Sequence, residues 1–149
     1  MSTSAALGLP SGEYYAMTNL VRTRDRQLSA RLAFLGLTLP EWRALRVLCS
    51  FGTDIPMSAL MAHSQNDRSA LGRTVDRLVD RGLVERMPDP QDKRAVYLRR
   101  RPAANEVFER AFVLAAELDE KLMAPLSNSE RQTLGRSLEK LEGIVGKDV

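Results

Sequence analysis

Apolar residues recur along this chain at helical spacing, and the pattern gives way to short extended runs in only one place. From Arg68 to Arg81, Leu71, Val75, Leu78 and Val79 fall at i, i+4, i+7 and i+8, which is one buried stripe of a helix. The opposite face carries Arg68, Ser69, Gly72, Arg73, Asp76 and Arg77. Asn66 or Asp67 can cap the start, because a short polar side chain accepts the N–H groups left free there. Gly82 suits the left-handed position just past the end. Beyond it, LVER and AVYL are β-prone runs flanking MPDPQDK, whose two prolines and two aspartates predict a turn.

The other segments repeat the helical pattern. A helix is predicted from about Glu13 to Leu32, with Tyr14, Met17, Val21 and Leu28 near one side. After the Gly36 to Leu39 bend, Pro40 opens a helix through about Ser50 with Trp42, Leu45 and Leu48 as its stripe. Met57, Leu60 and Met61 give a short helix its inner face, and a turn through Ser64 and Gln65 leads to the framed helix. Val107, Ala111, Leu114, Leu118 and Leu122 recur over about twenty residues, widened by Phe108 and Phe112, until Pro125 stops the helix. Ser127-Asn128-Ser129-Glu130 matches a capping box opening a last helix with Leu134, Leu138, Leu141 and Val145 on one face. Residues 1–12 read as a flexible arm and 13–149 as one domain. The fold class is mainly α with a small two-stranded β-wing, a winged helix-turn-helix over residues 38–100.

The run DRSALGRTVDRLVDRGLVER followed by DPQDKRAVYL resembles the recognition helix and wing of the MarR family of bacterial transcriptional regulators. That family's wing carries Asp-x-Arg, and Asp92 and Arg94 stand at those places. The resemblance covers roughly Tyr14 to Gly143 and implies that helices within 13–35 and 102–146 pack two chains into a homodimer, with Leu114, Leu118, Leu134, Leu138 and Leu141 in the seam. Burial of the same stripes within one chain is the plainer alternative. The family usually places Leu-Thr and then Gly before the next helix, where this chain has Arg100, Arg101 and Ala104. A lost Thr cap costs about 1 kcal/mol, although Pro102 fits a first helical position. Arg99, Arg100 and Arg101 either add phosphate contacts or are simply solvated.

Composition narrows the partners. Net charge is +2 over residues 1–65, +4 over 66–101 and −3 over 102–149, so the basic excess sits on the helix and hairpin. Such a footprint favours a polyanion, while an ordinary solvated face is the bland reading. No apolar run approaches the ~18 residues that span a bilayer, and no signal-peptide pattern opens the chain, which predicts a cytoplasmic protein with no membrane partner. The single cysteine, Cys49, reads as a small buried hydrophobe, with a redox role as the alternative. His63 has no cysteine or second histidine for company, so neither metal nor cofactor is implied. Glycine-rich phosphate loops, nucleophile elbows and paired nucleophile and base are missing, which disfavours an enzyme.

The chemistry that remains suits duplex DNA. An α-helix fits the major groove, and polar or basic residues in its N-terminal half reach base edges. On the helix these are Gln65, Asn66, Arg68, Ser69 and Arg73, with Arg73 placed for guanine; Asp67, Gly72 and Arg77 complete the helix's share of the site, Gly72 leaving room for close approach. On the wing they are Arg86, Gln91, Asp92, Lys93 and Arg94. Arg77 and Arg86 suit phosphates, and strand alternation would set Asp92 to brace the Arg94 guanidinium. Resemblance implies a repressor relieved by a small aromatic or lipophilic effector in a pocket that Trp42 borders, although Trp42 by itself reads as core. An adaptor that keeps the fold without reading DNA is the rival.

Overall fold

The computed structural model describes residues 12–64 and 67–145. The order is α1 (Gly12–Ala33), α2 (Leu39–Phe51), β1 (Ile55–Pro56), α3 (Met57–Ala62), α4 (Arg68–Asp80), β2 (Val84–Pro88), β3 (Val96–Arg100), α5 (Pro102–Met123) and α6 (Asn128–Val145). The expected N-terminal arm, except Gly12, lies outside the described residues, as do Gln65 and Asn66. The chain forms two compact units that divide inside α5, between Ala115 and Ala116.

In the first unit, α2 begins one residue before Pro40. Thr38 caps it: its hydroxyl accepts from the Glu41 N–H at 3.3 Å while the Glu41 carboxylate accepts from the Thr38 N–H at 2.8 Å. The Thr-x-x-Glu signal for this box stands in the sequence beside the proline. The predicted stripe is buried, with Trp42, Leu45 and Leu48 at most 2% exposed. α2 packs on α1, which buries only Leu28 and Leu32, and on α4.

The sheet has three strands, where two were expected. β3 is central, paired antiparallel with β2 from Val84↔Arg100 to Pro88↔Val96 and with β1 through Ile55↔Leu98 and Pro56↔Tyr97. A two-residue strand has no alternation to read, and Pro56, which lacks an N–H, fits an edge. Ile55, Val84 and Leu98 turn inward and are 0–2% exposed.

The arginine run is neither free nor merely solvated. Arg99 grips the Asp54 carboxylate at 2.8 Å, Arg100 donates to the Asn105 side chain at 2.9 Å, and Arg101 reaches Glu85 at 3.3 Å. Pro102 opens α5 as its position suggested, and the backbone before it is pinned by the Arg101 N–H on the Leu83 carbonyl at 3.0 Å.

In the second unit the Ser127 capping box forms. The Glu130 carboxylate accepts from the Ser127 N–H and hydroxyl, both at 2.8 Å, and these bonds hold its pKa below the usual value, the backbone N–H contributing most. Arg131 forks onto Glu120 at 2.9 and 3.0 Å. α6 buries no residue: Leu134, Leu138 and Leu141 are each 39% exposed. Leu118 differs from the seam expected for it, because it is 1% exposed within a single chain. A stripe read from spacing alone does not say which chain covers it.

Candidate nucleic-acid interface

α4 is held at both ends. The Asp67 carboxylate accepts from the Ala70 N–H at 2.8 Å, so Asp67 is the cap, and Asn66 lies outside the described residues. At the far end Arg81 is the C-cap and Gly82 takes φ 67, the left-handed region that glycine enters without strain. Between them Leu71, Val75 and Leu78 are 0–1% exposed. Thr74 is buried too, and its hydroxyl is satisfied by the Ala70 carbonyl at 3.0 Å.

What is left faces outward. Arg68, Ser69, Arg73 and Arg77 are exposed, and among the described residues no carboxylate or carbonyl is bonded to the three guanidinium groups. A Cβ at Gly72 would meet nothing within 4 Å, so packing does not demand glycine there. The position is open toward whatever approaches the helix.

The wing tip is built by two aspartates. Asp89 accepts from the Gln91 N–H at 2.8 Å, Asp92 from the Arg94 N–H at 2.9 Å, and the Asp92 carbonyl from the Ala95 N–H at 2.9 Å. The expected brace is therefore corrected: Asp92 bonds the backbone of Arg94 and not its guanidinium. Both residues sit in the turn before β3, where strand alternation does not operate. Gln91, Lys93 and Arg94 are exposed at the tip. Arg86, on β2, pairs with Asp76 of α4, so this charge is partly engaged and ties wing to helix.

A cavity of about 750 Å³ is lined, among others, by Val21 of α1, Arg43, Arg46 and Val47 of α2, and Phe108 and Phe112 of α5. Trp42 is core, as read, and stacks at 5.3 Å on Phe108, which lines the cavity. Cys49 is half-buried on the cavity wall; burial raises its thiol pKa more than the nearby Arg100 lowers it, an unfavourable setting for a reactive thiolate. His63 packs edge-on to Phe51 at 5.4 Å, and no cluster of metal-ligating side chains occurs among the described residues.

The multiple antibiotic resistance protein MarR of Escherichia coli strain K12 is 31% identical to this chain over 139 residues, covering 89% of this chain and 91% of that protein. The chain belongs to the MarR family. The model of the MarR family itself matches residues 35–95, from the end of the first helix to the wing tip. The HTH-type transcriptional repressor IacR of Pseudomonas putida is 25% identical over 126 residues, covering 85% of this chain and 75% of the repressor. Among solved structures, a mutant of E. coli MarR complexed with operator DNA superposes with a TM-score of 0.77 at 29% identity, covering 95% of this chain and 99% of that one. Similarity to the family thus extends well beyond the helix-turn-helix and wing, as the resemblance implied. Among the described residues no helix is long and apolar enough to cross a membrane.

Sequence reasoning missed Glu41, a carboxylate buried to 3% exposure, and its partner Arg81. The Thr38-x-x-Glu41 signal could have located the first. Nothing local marks the second, whose partner lies 40 residues away.

Proposed function

We propose that this chain is a transcriptional regulator, not an enzyme, that binds a pseudo-palindromic operator in double-stranded DNA as a homodimer and represses transcription in the cytoplasm. One observation carries the reading. Arg68, Arg73 and Arg77 are exposed on a capped, rigidly packed helix with no anionic partner among the described residues, while Arg86 and Arg99 of the wing strands are ion-paired. Unpaired guanidinium donors around the exposed side of one helix suit phosphates and the guanine edge.

In this reading residues 13–149 work as one domain, with 38–100 as the reading head and 13–35 and 102–146 supplying the dimer helices. Arg73, Ser69 and Arg68 read bases beside Gly72, Gln65 and Asn66, and Asp67 serves as the cap. Arg77 takes phosphate, and Lys93, Gln91 and Arg94 enter the neighbouring minor groove. The cavity lined by Phe108, Phe112 and Val21 receives a small aromatic or lipophilic effector.

Fluorescence anisotropy tests the core of this. DNA flanking the protein's own gene and a random duplex are titrated at two salt concentrations. Expected are tighter binding to the flanking DNA and a steep loss of affinity with salt, as counterion release requires. Binding to neither duplex would favour the adaptor.

A further inference from the structure

The guanidinium of Arg81 gathers three segments that DNA reading by α4 leaves unused. Its Nη1 donates to the Gly36 carbonyl at 2.6 Å and to the Glu41 carboxylate at 3.3 Å, and its Nη2 donates to the Leu35 carbonyl at 3.4 Å. Leu35 and Gly36 form the turn in which α1 stops, with Gly36 at φ 67, its N–H on the Ala33 carbonyl at 2.9 Å and the Leu37 N–H on the Leu32 carbonyl at 3.1 Å. Carbonyls past a helix end lack helical partners, and Arg81 takes two of them.

Glu41 brings in the third segment. Its side chain is 4% exposed and carries the capping box of α2, so its charge must be met inside the fold. The Thr38 N–H meets it on one side and Arg81 on the other. The end of α1, the start of α2 and the end of α4 therefore converge on one planar, forked side chain. Elsewhere α2 and α4 present apolar stripes to the core, and packing of such stripes leaves a scatter of about 15–20° in the crossing angle. The Arg81 bonds narrow it.

We propose that Arg81 is a positioning residue for base reading: through Glu41, Leu35 and Gly36 it fixes the angle of α4 against α1 and α2, and it governs sequence discrimination without touching DNA. This rests on the reading that α4 enters the groove. It implies that the lost quantity in an Arg81 variant is the ratio of specific to random affinity, not overall affinity.

The test begins with an operator selected by the wild-type chain from random duplexes. Wild type, Arg81→Gln, Arg81→Lys and Glu41→Gln are then titrated by anisotropy on that operator and on a random duplex at one salt concentration. For Arg81→Gln the operator-to-random ratio should fall about tenfold, roughly the worth of one good base contact, with random affinity nearly unchanged. Glu41→Gln should lower the ratio although it removes no cation, and Arg81→Lys should not restore it, since an ammonium cannot reproduce the fork. If Arg81→Gln fails to fold, the other two variants, checked by circular dichroism, carry the comparison. An unchanged ratio in Glu41→Gln and Arg81→Lys overturns the proposal. So does an equal fall on both duplexes for Arg81→Gln, which would make Arg81 a phosphate contact. A wild type that selects no operator would instead sink the DNA-reading proposal.

Discussion

Leu71, Val75 and Leu78 of α4 and Leu134, Leu138 and Leu141 of α6 share one spacing and meet different surroundings. The first three are 0–1% exposed, the second three 39% each. Helical periodicity records that a stripe wants covering, and it is silent on which chain does the covering. Charge makes the same division in another currency. Arg81, Arg99, Arg101 and Arg131 have carboxylate partners, whereas Arg68, Arg73, Arg77 and Arg94 have none among the described residues. α4 is complete on its apolar side and open on its cationic side. α6 is open on its apolar side, as a helix awaiting a second copy of the chain would be.

The largest expected effect breaks the comparison directly. Leu78→Glu should abolish folding, because a charge in a closed core costs several kcal/mol against a total stability of about 5–15. Leu138→Glu should leave a helical, folded chain and cost the dimer instead, seen as a halved mass by light scattering. If Leu138→Glu matched wild type in mass at micromolar concentration, α6 would not be the seam.

The wing should give the next largest effect. Arg94→Ala is expected to weaken operator binding sharply, most on A·T-rich flanks where the narrow minor groove concentrates negative potential. Asp92→Ala should weaken it less, through a loosened turn, because the carboxylate holds the Arg94 N–H and not its guanidinium. Equal affinity for Arg94→Ala and wild type at fixed salt would remove the wing from the mechanism.

A smaller difference separates two arginines one turn apart. Arg73→Ala should relax specificity at one base position by about 1–3 kcal/mol, whereas Arg77→Ala should weaken all sequences alike and reduce the salt slope by about one. Matching losses on operator and random DNA for Arg73→Ala would reassign it to phosphate.

Wherever the structure rests on local signals, the sequence was a good guide. The capped α4, the hairpin with its charged turn, Pro102 opening α5 and the Ser127 box are each written within a few residues. The Thr38–Glu41 box, although local, went unread, and the other unread features depend on distant partners or on too few residues. β1 is a pair of residues hydrogen-bonded to a strand some forty positions on, and Arg81 meets Glu41 across a similar separation. The wing brace failed for a different reason: alternation was applied to Asp92 and Arg94, which the aspartates hold in a turn. Leu118 and Leu138 looked alike in sequence, and only the fold distinguishes the one it buries from the one it leaves half exposed.

Binding-site selection from random duplex DNA tests the central claim most directly, since it needs both the reading helix and the two-fold assembly to be right. Two inverted half-sites whose centres lie about 10 bp apart, one turn of B-DNA, should be enriched. No enriched sequence, or a lone half-site without its inverted mate, would contradict it.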